Sequence, residues 1–281
     1  MENATLNQRI KSFYDQSTPI WLDTWGEHMH HGFYGLDGSE KKDHVQAQVD
    51  LLDTFVEWGH LAKATKVLDA GCGVGGSARY LANRFGADVL GVTLSSVQAE
   101  QAAGYNQRAG LSHQVSIEVR DMFTVQASEG PFDLIWSMES AEHIRDKQAL
   151  LQHFWNLLQP GGRLLMATWC HRDTPPPLSQ VEHKLLDRVC ELYHLPPWIS
   201  IAEYEQLATT IGFEQIKTAD WSDAVAPFWK AVIQSALKWD RMLGLLKAGW
   251  STMKGAYAMQ YMTKGYRRGL IRFGLLQAVK P

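Results

Sequence analysis

The sequence predicts a Rossmann-like α/β fold: seven strands, helices on both faces of the sheet, and a helical insertion before the last strand. First, five short apolar runs between residues 66 and 169 alternate with helical patterns, which predicts an open parallel sheet with right-handed crossovers. Second, a glycine-rich turn joins the first strand to the next helix, as in ligand-binding sheets of this kind. Third, 281 residues with 45% hydrophobic and 20% charged side chains suit one large domain.

The N-terminal half contains most of the predicted sheet. An amphipathic helix over 3–25 is followed by a second helix over 41–59, where apolar residues recur at helical spacing. Ser95 or Ser96 caps the helix after the second strand, and the Ala-Gly pair at 109–110 ends it. The predicted strands here are 66–70, 88–92, 115–120, 132–137 and 163–169, and the predicted helices between them are 76–85, 95–109 and 147–158, the last closed by a Gln-Pro-Gly-Gly turn at 159–162.

The C-terminal part begins with a stiff triple-proline break at 175–177. Helices are predicted at 178–193 and 200–211, and the last two strands at 212–220 and 269–280. Residues 221–268 form an insertion rich in Trp, Met and Lys, which we expect to be helical. We therefore expect a single domain over 1–281, with an N-terminal helical lid (1–60), a cofactor-binding core (61–174) and a substrate-side part (175–281).

The glycine-rich turn carries the strongest functional signal. Gly71-Cys72-Gly73-Val74-Gly75-Gly76 fits the dinucleotide pattern G-x-G-x-x-G, and with Asp69 it also fits the D-x-G-x-G-x-G pattern of S-adenosylmethionine (SAM) methyltransferases. A dinucleotide site needs an acidic residue after the second strand for the ribose, but Thr93 stands there. Asp69 also suits a cationic, amino-acid-bearing ligand better than a pyrophosphate. We favour SAM, and a dinucleotide or a turn without a ligand remain the alternatives.

Several other stretches end at the same predicted edge of the sheet. Ligands of open α/β sheets bind outside the carboxyl ends of the strands. Thr93, Asp121 and residues 137–143 follow the second, third and fourth strands, and all reach that edge with the glycine turn. This convergence predicts one site shared by four segments.

Composition argues against several classes of function. The net charge of −3 gives no global attraction to nucleic acid, and the three scattered cysteines favour a reducing compartment without a disulfide framework or zinc site. No apolar stretch reaches 18 residues, and the polar N-terminus shows no secretory signal. His28, His30 and His31 lack the i, i+4 spacing of a two-histidine zinc motif, so we expect no metal and favour a loop that closes over the ligand.

Taken together, these stretches resemble the tocopherol methyltransferases of cyanobacteria and plastids, within the class I SAM methyltransferases. The resemblance covers almost the whole chain, and its narrowest motifs are HMHHGFY (28–34) and TWCHRD (168–173). It implies methyl transfer from SAM to a free ring carbon beside the phenol of a prenylated chromanol, as from γ- to α-tocopherol or δ- to β-tocopherol. Related acceptors, a prenylquinol or an indole or alkaloid nitrogen, are the alternatives. The matching stretches are 25–34 (WGEHMHHGFY), 68–82 (LDAGCGVGGSARYLA), 91–98 (GVTLSSVQ), 131–147 (PFDLIWSMESAEHIRDK), 160–173 (PGGRLLMATWCHRD) and 216–229 (IKTADWSDAVAPFW).

The residues and the resemblance together assign expected roles. A base near the phenol would make the ring a better nucleophile, and the best-placed candidates are His143, Glu142 and Glu139. Residues expected to bind the cofactor are Tyr14, Tyr34, Asp69, Gly71, Cys72, Gly73, Thr93, Leu94, Gln98, Asp121, Met122 and Ser137. Residues expected to bind the substrate are Trp25, His30, His31, His171 and Trp229, of which the histidines are further candidates for the base.

Charge is unevenly distributed along the chain. Residues 227–281 contain ten Lys or Arg and one acid, Asp240, interleaved with aromatic residues. This composition is typical of interfacial segments, so we expect either a peripheral contact with membrane, a helical cap over the substrate, or both. A tocopherol is a small hydrophobic phenol that lives in membranes. With no signal or transit peptide visible, we expect a cytoplasmic or peripheral-membrane protein of a cyanobacterial cell.

Overall fold

A computed structural model describes residues 2–236 and 258–281. Part of the predicted insertion, including Lys238, Arg241, Lys247 and Lys254, lies outside the described residues. Within the described part the insertion is helical, as predicted: two helices precede residue 236, and residues 258–267 form another.

The sheet has seven strands in the order β3-β2-β1-β4-β5-β7-β6. The first five strands are parallel to one another, as predicted. The last strand is antiparallel to both β5 and β6. The bounds are β1 Lys66–Ala70, β2 Asp88–Thr93, β3 Val115–Val119, β4 Phe132–Met138, β5 Leu158–His171, β6 Glu214–Asp220 and β7 Ile271–Val279.

Most helices begin at a polar cap, as their sequences indicate. The Ser95 side chain caps α4 by accepting from the Gln98 backbone N–H, and Ser179 and Ser200 form capping boxes at α6 and α7. The helices are α1 Glu2–Trp25, α2 His44–Trp58, α3 Gly76–Phe85, α4 Ser96–Arg108, α5 Lys147–Leu157, α6 Gln180–Tyr193, α7 Ile201–Ile211, α8 Ser222–Val225, α9 Pro227–Ala236 and α10 (258–267).

Two hydrophobic cores lie on opposite faces of the sheet. Neighbouring strand residues alternate between them: Val67 belongs to one core and Leu68 to the other, and Leu165 and Leu164 divide in the same way. One core also takes in α2, Trp221 and the aromatic residues of α9, and the other contains α5 and α7. A sheet buried on both faces leaves its strand ends as the place for a site.

Two boundaries differ from the prediction for local reasons. β5 begins at Leu158 rather than at residue 163, because Leu158 already pairs with Phe132 of β4, the pairing resumes at Arg163 after an irregularity, and the Gly161 N–H donates to Lys280 O. Gly212 ends α7 in the left-handed conformation (φ +109°) and is not part of β6. Turn signals in the sequence locate the Gln-Pro-Gly-Gly turn at 159–162, but they do not show that strand pairing begins before it.

Candidate active site

A cleft of about 950 Å³, partly open to solvent, lies at the carboxyl ends of β1, β2 and β4. Helix α1 and the loop after it form its other wall. Many residues predicted to belong to the site meet there. They are Tyr14, His30, Asp69, Gly71, Cys72, Gly73, Thr93, Leu94, Gln98, Asp121, Met122, Glu139 and His143.

The glycine turn needs its glycines for two different reasons. Gly71 (φ +88°) and Gly73 (φ +54°) both have left-handed backbones that favour glycine. A Cβ at Gly71 would also collide with the Ser140 side chain, so this glycine allows the β1 and β4 ends to pack together. A Cβ at Gly73 would meet only Met29, at 4.0 Å, so Gly73 borders open space in the cleft. A ligand can therefore approach the backbone at Gly73.

Asp69 lies at the base of the cleft with one oxygen unsatisfied. Its side chain is buried, and Oδ2 has no hydrogen-bond partner. Burial raises the pKa of Asp69 to about 7, although the Ala78 backbone N–H and the charge of Arg79 oppose the change. A buried carboxyl group with a free oxygen is suited to a cationic ligand group.

The end of β2 has hydroxyl and amide groups where a dinucleotide site has an acid. Thr93 Oγ1 lies 2.6 Å from Gln98 Oε1 and accepts a hydrogen bond from the Ser95 N–H at 3.2 Å. Gln98 Nε2 is turned toward Met29 Sδ, at 3.6 Å. Thr93 and Gln98 thus hold one another at the wall of the cleft.

Asp121 caps a short helical turn, and both of its carboxylate oxygens accept hydrogen bonds. Its Oδ1 accepts from the Phe123 N–H at 3.0 Å, and its Oδ2 accepts from Asn7 Nδ2 at 2.6 Å. Asn7, on α1, is one of the cleft residues that sequence reasoning missed; the others include Glu27, His28 and Met29. Asn7 lies on the polar side of an amphipathic helix. A polar residue at such a position is expected whether it contacts a ligand or only solvent, so the sequence gives no signal for it.

Glu139 lies between the cleft and the protein interior, in a strained conformation. It has a left-handed backbone (φ +50°), which is rare for a residue with a side chain and costs about 1–3 kcal/mol. Its carboxylate accepts from the His31 N–H (2.6 Å), His31 Nδ1 (2.8 Å) and Trp169 Nε1 (2.9 Å). Burial would raise the pKa of Glu139, but the charge and hydrogen bonds of His31 outweigh it and hold the pKa below its usual value.

Glu142 and His143 are adjacent in the chain but lie in different environments. His143 lines the cleft, and its Nε2 lies 2.8 Å from the Tyr14 hydroxyl of α1. Burial, and then the charge of Lys147, lowers the pKa of His143 to about 3. Glu142 does not line the cleft: it is buried, accepts from Thr168 Oγ1 at 2.9 Å, and has a pKa raised to about 8, chiefly by burial.

An aromatic cluster surrounds His31 on the side of Glu139 away from the cleft. Its side chains come from α1, β5, α9, α10 and β7, and Trp25 and Trp229 were predicted to bind substrate. The rings of Trp229, Phe228, Phe273, Trp169 and Tyr266 lie with centroids 5.0 to 6.0 Å from that of His31, and Trp25 packs on Phe228 and Trp229.

Three predicted site residues are placed elsewhere by the tertiary structure. Tyr34, predicted to bind the cofactor, is buried and does not line the cleft, and its backbone pairs with Ala224 of α8. Ser137 is completely buried behind the cleft and bonds to Ser140. His171 lines a separate hollow with Asp220 and Arg272, because β5 extends past the edge of the cleft before it ends.

The cleft fits SAM in residue types and in space. Asp69 would face the ammonium group, the backbone at Gly73 would approach the methionine part, and Thr93, Gln98 and Asp121 would bind the nucleoside. The free oxygen of Asp69 and the open space beside Gly73 are the observations that support this fit. The fold and the cleft define a class I SAM-dependent methyltransferase.

Comparisons with known proteins identify the family. Residues 67–162 match the model of a methyltransferase domain. The chain is 43% identical to a probable chloroplastic tocopherol O-methyltransferase of Oryza sativa, over 98% of this chain and 79% of that protein. It is 30% identical to a 2-methyl-6-phytyl-1,4-hydroquinone methyltransferase of Synechocystis (96% and 87% covered) and 29% identical to a norajmaline N-methyltransferase of Rauvolfia serpentina (96% and 97% covered).

Solved structures share the fold. A cyclopropane synthase of Mycobacterium tuberculosis superimposes with a TM-score of 0.81 at 17% identity, covering 98% of both chains. A geranyl diphosphate methyltransferase in complex with SAM gives a TM-score of 0.70 at 20% identity, covering 90% of this chain and 99% of that one.

The chain belongs to the tocopherol methyltransferase family. It is a methyltransferase, and its cofactor is SAM. In the part of the chain that the structure describes, no helix is both long and apolar enough to cross a membrane.

Proposed function

We propose that the enzyme methylates a ring carbon beside the phenol of a tocopherol, converting γ- to α-tocopherol and δ- to β-tocopherol in vitamin E biosynthesis. The observation that carries this proposal is the aromatic cluster, which meets the cofactor cleft at Glu139. Stacked and edge-on aromatic rings favour a flat, apolar acceptor such as a chromanol. The relatives from rice and Synechocystis are named for acceptors of this kind.

Carbon methylation requires that the acceptor be held in line with the methyl donor. SAM supplies an electrophilic methyl group when it is bound. The chain contributes the rest: Asp69 and the glycine turn orient the cofactor, Met138 and Glu139 line the cleft where β4 ends, and the aromatic cluster excludes water from the acceptor side. Removing the phenol proton would increase the electron density of the ring carbons beside the oxygen.

The test is a panel of acceptors incubated with methyl-labelled SAM. The panel contains γ- and δ-tocopherol, a phytylhydroquinone and an indole alkaloid, and Asp69→Ala serves as the inactive control. We expect the label in α- and β-tocopherol with the phenol still free, established by mass spectrometry and NMR. A methyl ether, or label only in the hydroquinone, would overturn the proposal.

A nitrogen acceptor is the second candidate. It is favoured by the similarity to the norajmaline N-methyltransferase, which extends over 96% of this chain. The neutral aromatic cluster suits an indole as well as a chromanol. Label in the alkaloid and none in either tocopherol would establish this alternative.

A further inference from the structure

Three buried polar atoms in the aromatic cluster have no hydrogen-bond partner among the residues that the structure describes. They are His31 Nε2, Trp229 Nε1 and Tyr266 Oη. A buried polar atom without a hydrogen bond costs about 1–3 kcal/mol, so three of them so close together form an unusual arrangement. The hydroxyl group of an aromatic acceptor that reached this cluster would give these atoms a partner.

The hydrogen bonds of His31 determine which of its nitrogens is free. Nδ1 lies 2.8 Å from Glu139 Oε2, and the Glu139 carboxyl group also accepts from the His31 backbone N–H at 2.6 Å and from Trp169 Nε1 at 2.9 Å, which favours its ionised form. A carboxylate only accepts hydrogen bonds, so Nδ1 carries the proton. In the neutral ring Nε2 then has the lone pair, and it faces away from Glu139. This is the arrangement of a base oriented by a carboxylate.

His143, the base favoured by the sequence, is less suited to the task. Its Nε2 is already engaged with the Tyr14 hydroxyl. Burial, followed by the charge of Lys147, lowers the pKa of His143 to about 3, which makes it a weak base at neutral pH. No carboxylate contacts its ring among the described residues, and its Nδ1 is buried without a partner.

We propose that His31 is the general base of the reaction and that Glu139 is its positioning residue; this rests on the proposed function. As the O–H bond of the phenol breaks, the proton goes to His31 Nε2. The electrons of the phenolate form the new bond from the ring carbon to the methyl group, and the methyl–sulfur bond breaks with its electron pair left on sulfur. The methylated ring carbon loses its hydrogen as a proton to water that enters through the solvent-open side of the cleft, and His31 returns its proton to the oxygen.

The first test compares His31→Asn with His143→Asn. An asparagine at 31 can still donate to Glu139 but has no nitrogen in the place of Nε2. We expect His31→Asn to lower kcat by about 10²-fold or more, with the Kd for SAM from titration calorimetry unchanged. The matched His143→Asn variant should lose less than about tenfold. The reverse order of the two variants would overturn the proposal.

A second readout separates a base from a residue that only supports the fold. In His31→Asn, the loss of kcat should shrink as the acceptor phenol is made more acidic by ring substituents, because such a phenol ionises without help. In Glu139→Gln the loss of kcat should shrink in the same way, because a neutral amide no longer stabilises the positive charge that His31 takes up with the proton. The other titratable groups that face His31 are His30 and Tyr266. A deficit independent of acceptor acidity would show a structural role and overturn the assignment.

A third measurement does not depend on turnover, so it tests the role of His31 separately from the proposed function. The probe is the side-chain-free chromanol core of γ-tocopherol, added to protein with ¹⁵N-labelled histidine. We expect the Nε2 resonance of His31, assigned with His31→Asn, to move on binding while that of His143 stays in place. Absence of binding, or binding without this shift, would overturn the role of His31 even if the enzyme methylates tocopherol. An enzyme inactive on tocopherol that still shows the shift would refute only the proposed function.

Discussion

Asp69 shows how folding can change the chemistry of a single residue. In solution its carboxyl group would be ionised at neutral pH, but burial in the cleft raises its pKa to about 7. Only the ionised form attracts a cation. The protonation of Asp69 should therefore be coupled to the binding of SAM.

We predict that the affinity for SAM falls with pH below about 7. A cationic ligand stabilises the carboxylate and lowers its pKa, so each pH unit below the ligand-free pKa should weaken binding by about tenfold. Titration calorimetry between about pH 5.5 and 7 measures this effect. Asp69→Asn should bind SAM weakly and without the pH dependence. Wild-type affinity that is constant over this range would show that Asp69 does not face the ammonium group.

At Gly73, two reasons for a glycine can be tested separately: the left-handed backbone and the close approach of the ligand. Gly73→Ala places a methyl group beside the open space of the cleft, in a left-handed backbone (φ +54°). Gly86 is the matched control, because it is also left-handed (φ +68°), a Cβ at this position would have no atom within 4 Å, and it ends α3 outside the cleft. Both variants should lose roughly 1–2 kcal/mol of stability.

We expect only Gly73→Ala to weaken SAM binding, by about tenfold or more, which is about 1.4 kcal/mol of binding free energy. Thermal unfolding measures the shared strain, and calorimetry measures the affinity. Equal affinity for SAM in the two variants would mean that the cofactor does not approach the backbone at Gly73.

At the scale of elements, the first two thirds of α1 make polar contacts across the cleft, whereas Trp25 at its end packs on Phe228 and Trp229. Asn7 bonds to Asp121, Tyr14 to His143, and Asp15 to Ser95 at 2.5 Å. Individual hydrogen bonds of this kind contribute about 0.5–1.5 kcal/mol. The part of the helix held in this way can move away from the cleft without unfolding the sheet.

We predict that Asp15→Ala speeds the dissociation of SAM about three- to tenfold, with little effect on thermal stability. The variant removes the acceptor of the Ser95 hydroxyl and the partner of Lys11, so α1 is held by fewer bonds. A chase experiment with labelled SAM measures the rate. The control is Asp37→Ala, which removes an exposed carboxylate that bonds only to the nearby Ser39 and lies outside the cleft. Equal rates in the two variants would contradict a gating role for α1.

At the scale of the whole molecule, charge is divided between an acidic body and a basic C-terminal part. Of the ten basic residues in 227–281, Lys264, Arg267 and Arg268 are exposed on and just after α10. The same segment contributes Tyr266 to the aromatic cluster. We propose that this surface meets the membrane in which a tocopherol resides, at a place continuous with the acceptor site.

We predict that the enzyme floats with anionic vesicles at low salt and is released at high salt. Each basic residue near an anionic surface contributes about 1 kcal/mol. Reversing Lys264, Arg267 and Arg268 to glutamate should abolish flotation. Reversing Lys41, Lys63 and Lys184, which are exposed elsewhere on the molecule, changes the net charge equally and should preserve it. Equal loss of flotation in the two triple variants would indicate that net charge alone attracts the enzyme to the vesicles, without a membrane-binding face.

The sequence predicted the sheet and the cofactor cleft well because their signals are local. Apolar runs, caps and glycines located the first five strands to within a few residues, apart from the start of β5, and Asp69, Gly73, Thr93 and Asp121 all line one cleft. Tyr34 and His171 were also predicted to belong to the site, but neither lines the cleft. Both residues lie in motifs that mark the family, but a motif does not show which way a side chain faces once distant elements pack against it.

By itself, the sequence determined the strands, the glycine turn and the convergence of four segments on one edge of a parallel sheet. These follow from periodicity and from the rule that parallel strands end together. Only the tertiary structure decided that His31 bonds to Glu139, 108 positions away, while Glu142 is buried behind the cleft. Burial and hydrogen-bond partners determine the protonation of these groups, and both depend on contacts between residues far apart in the chain.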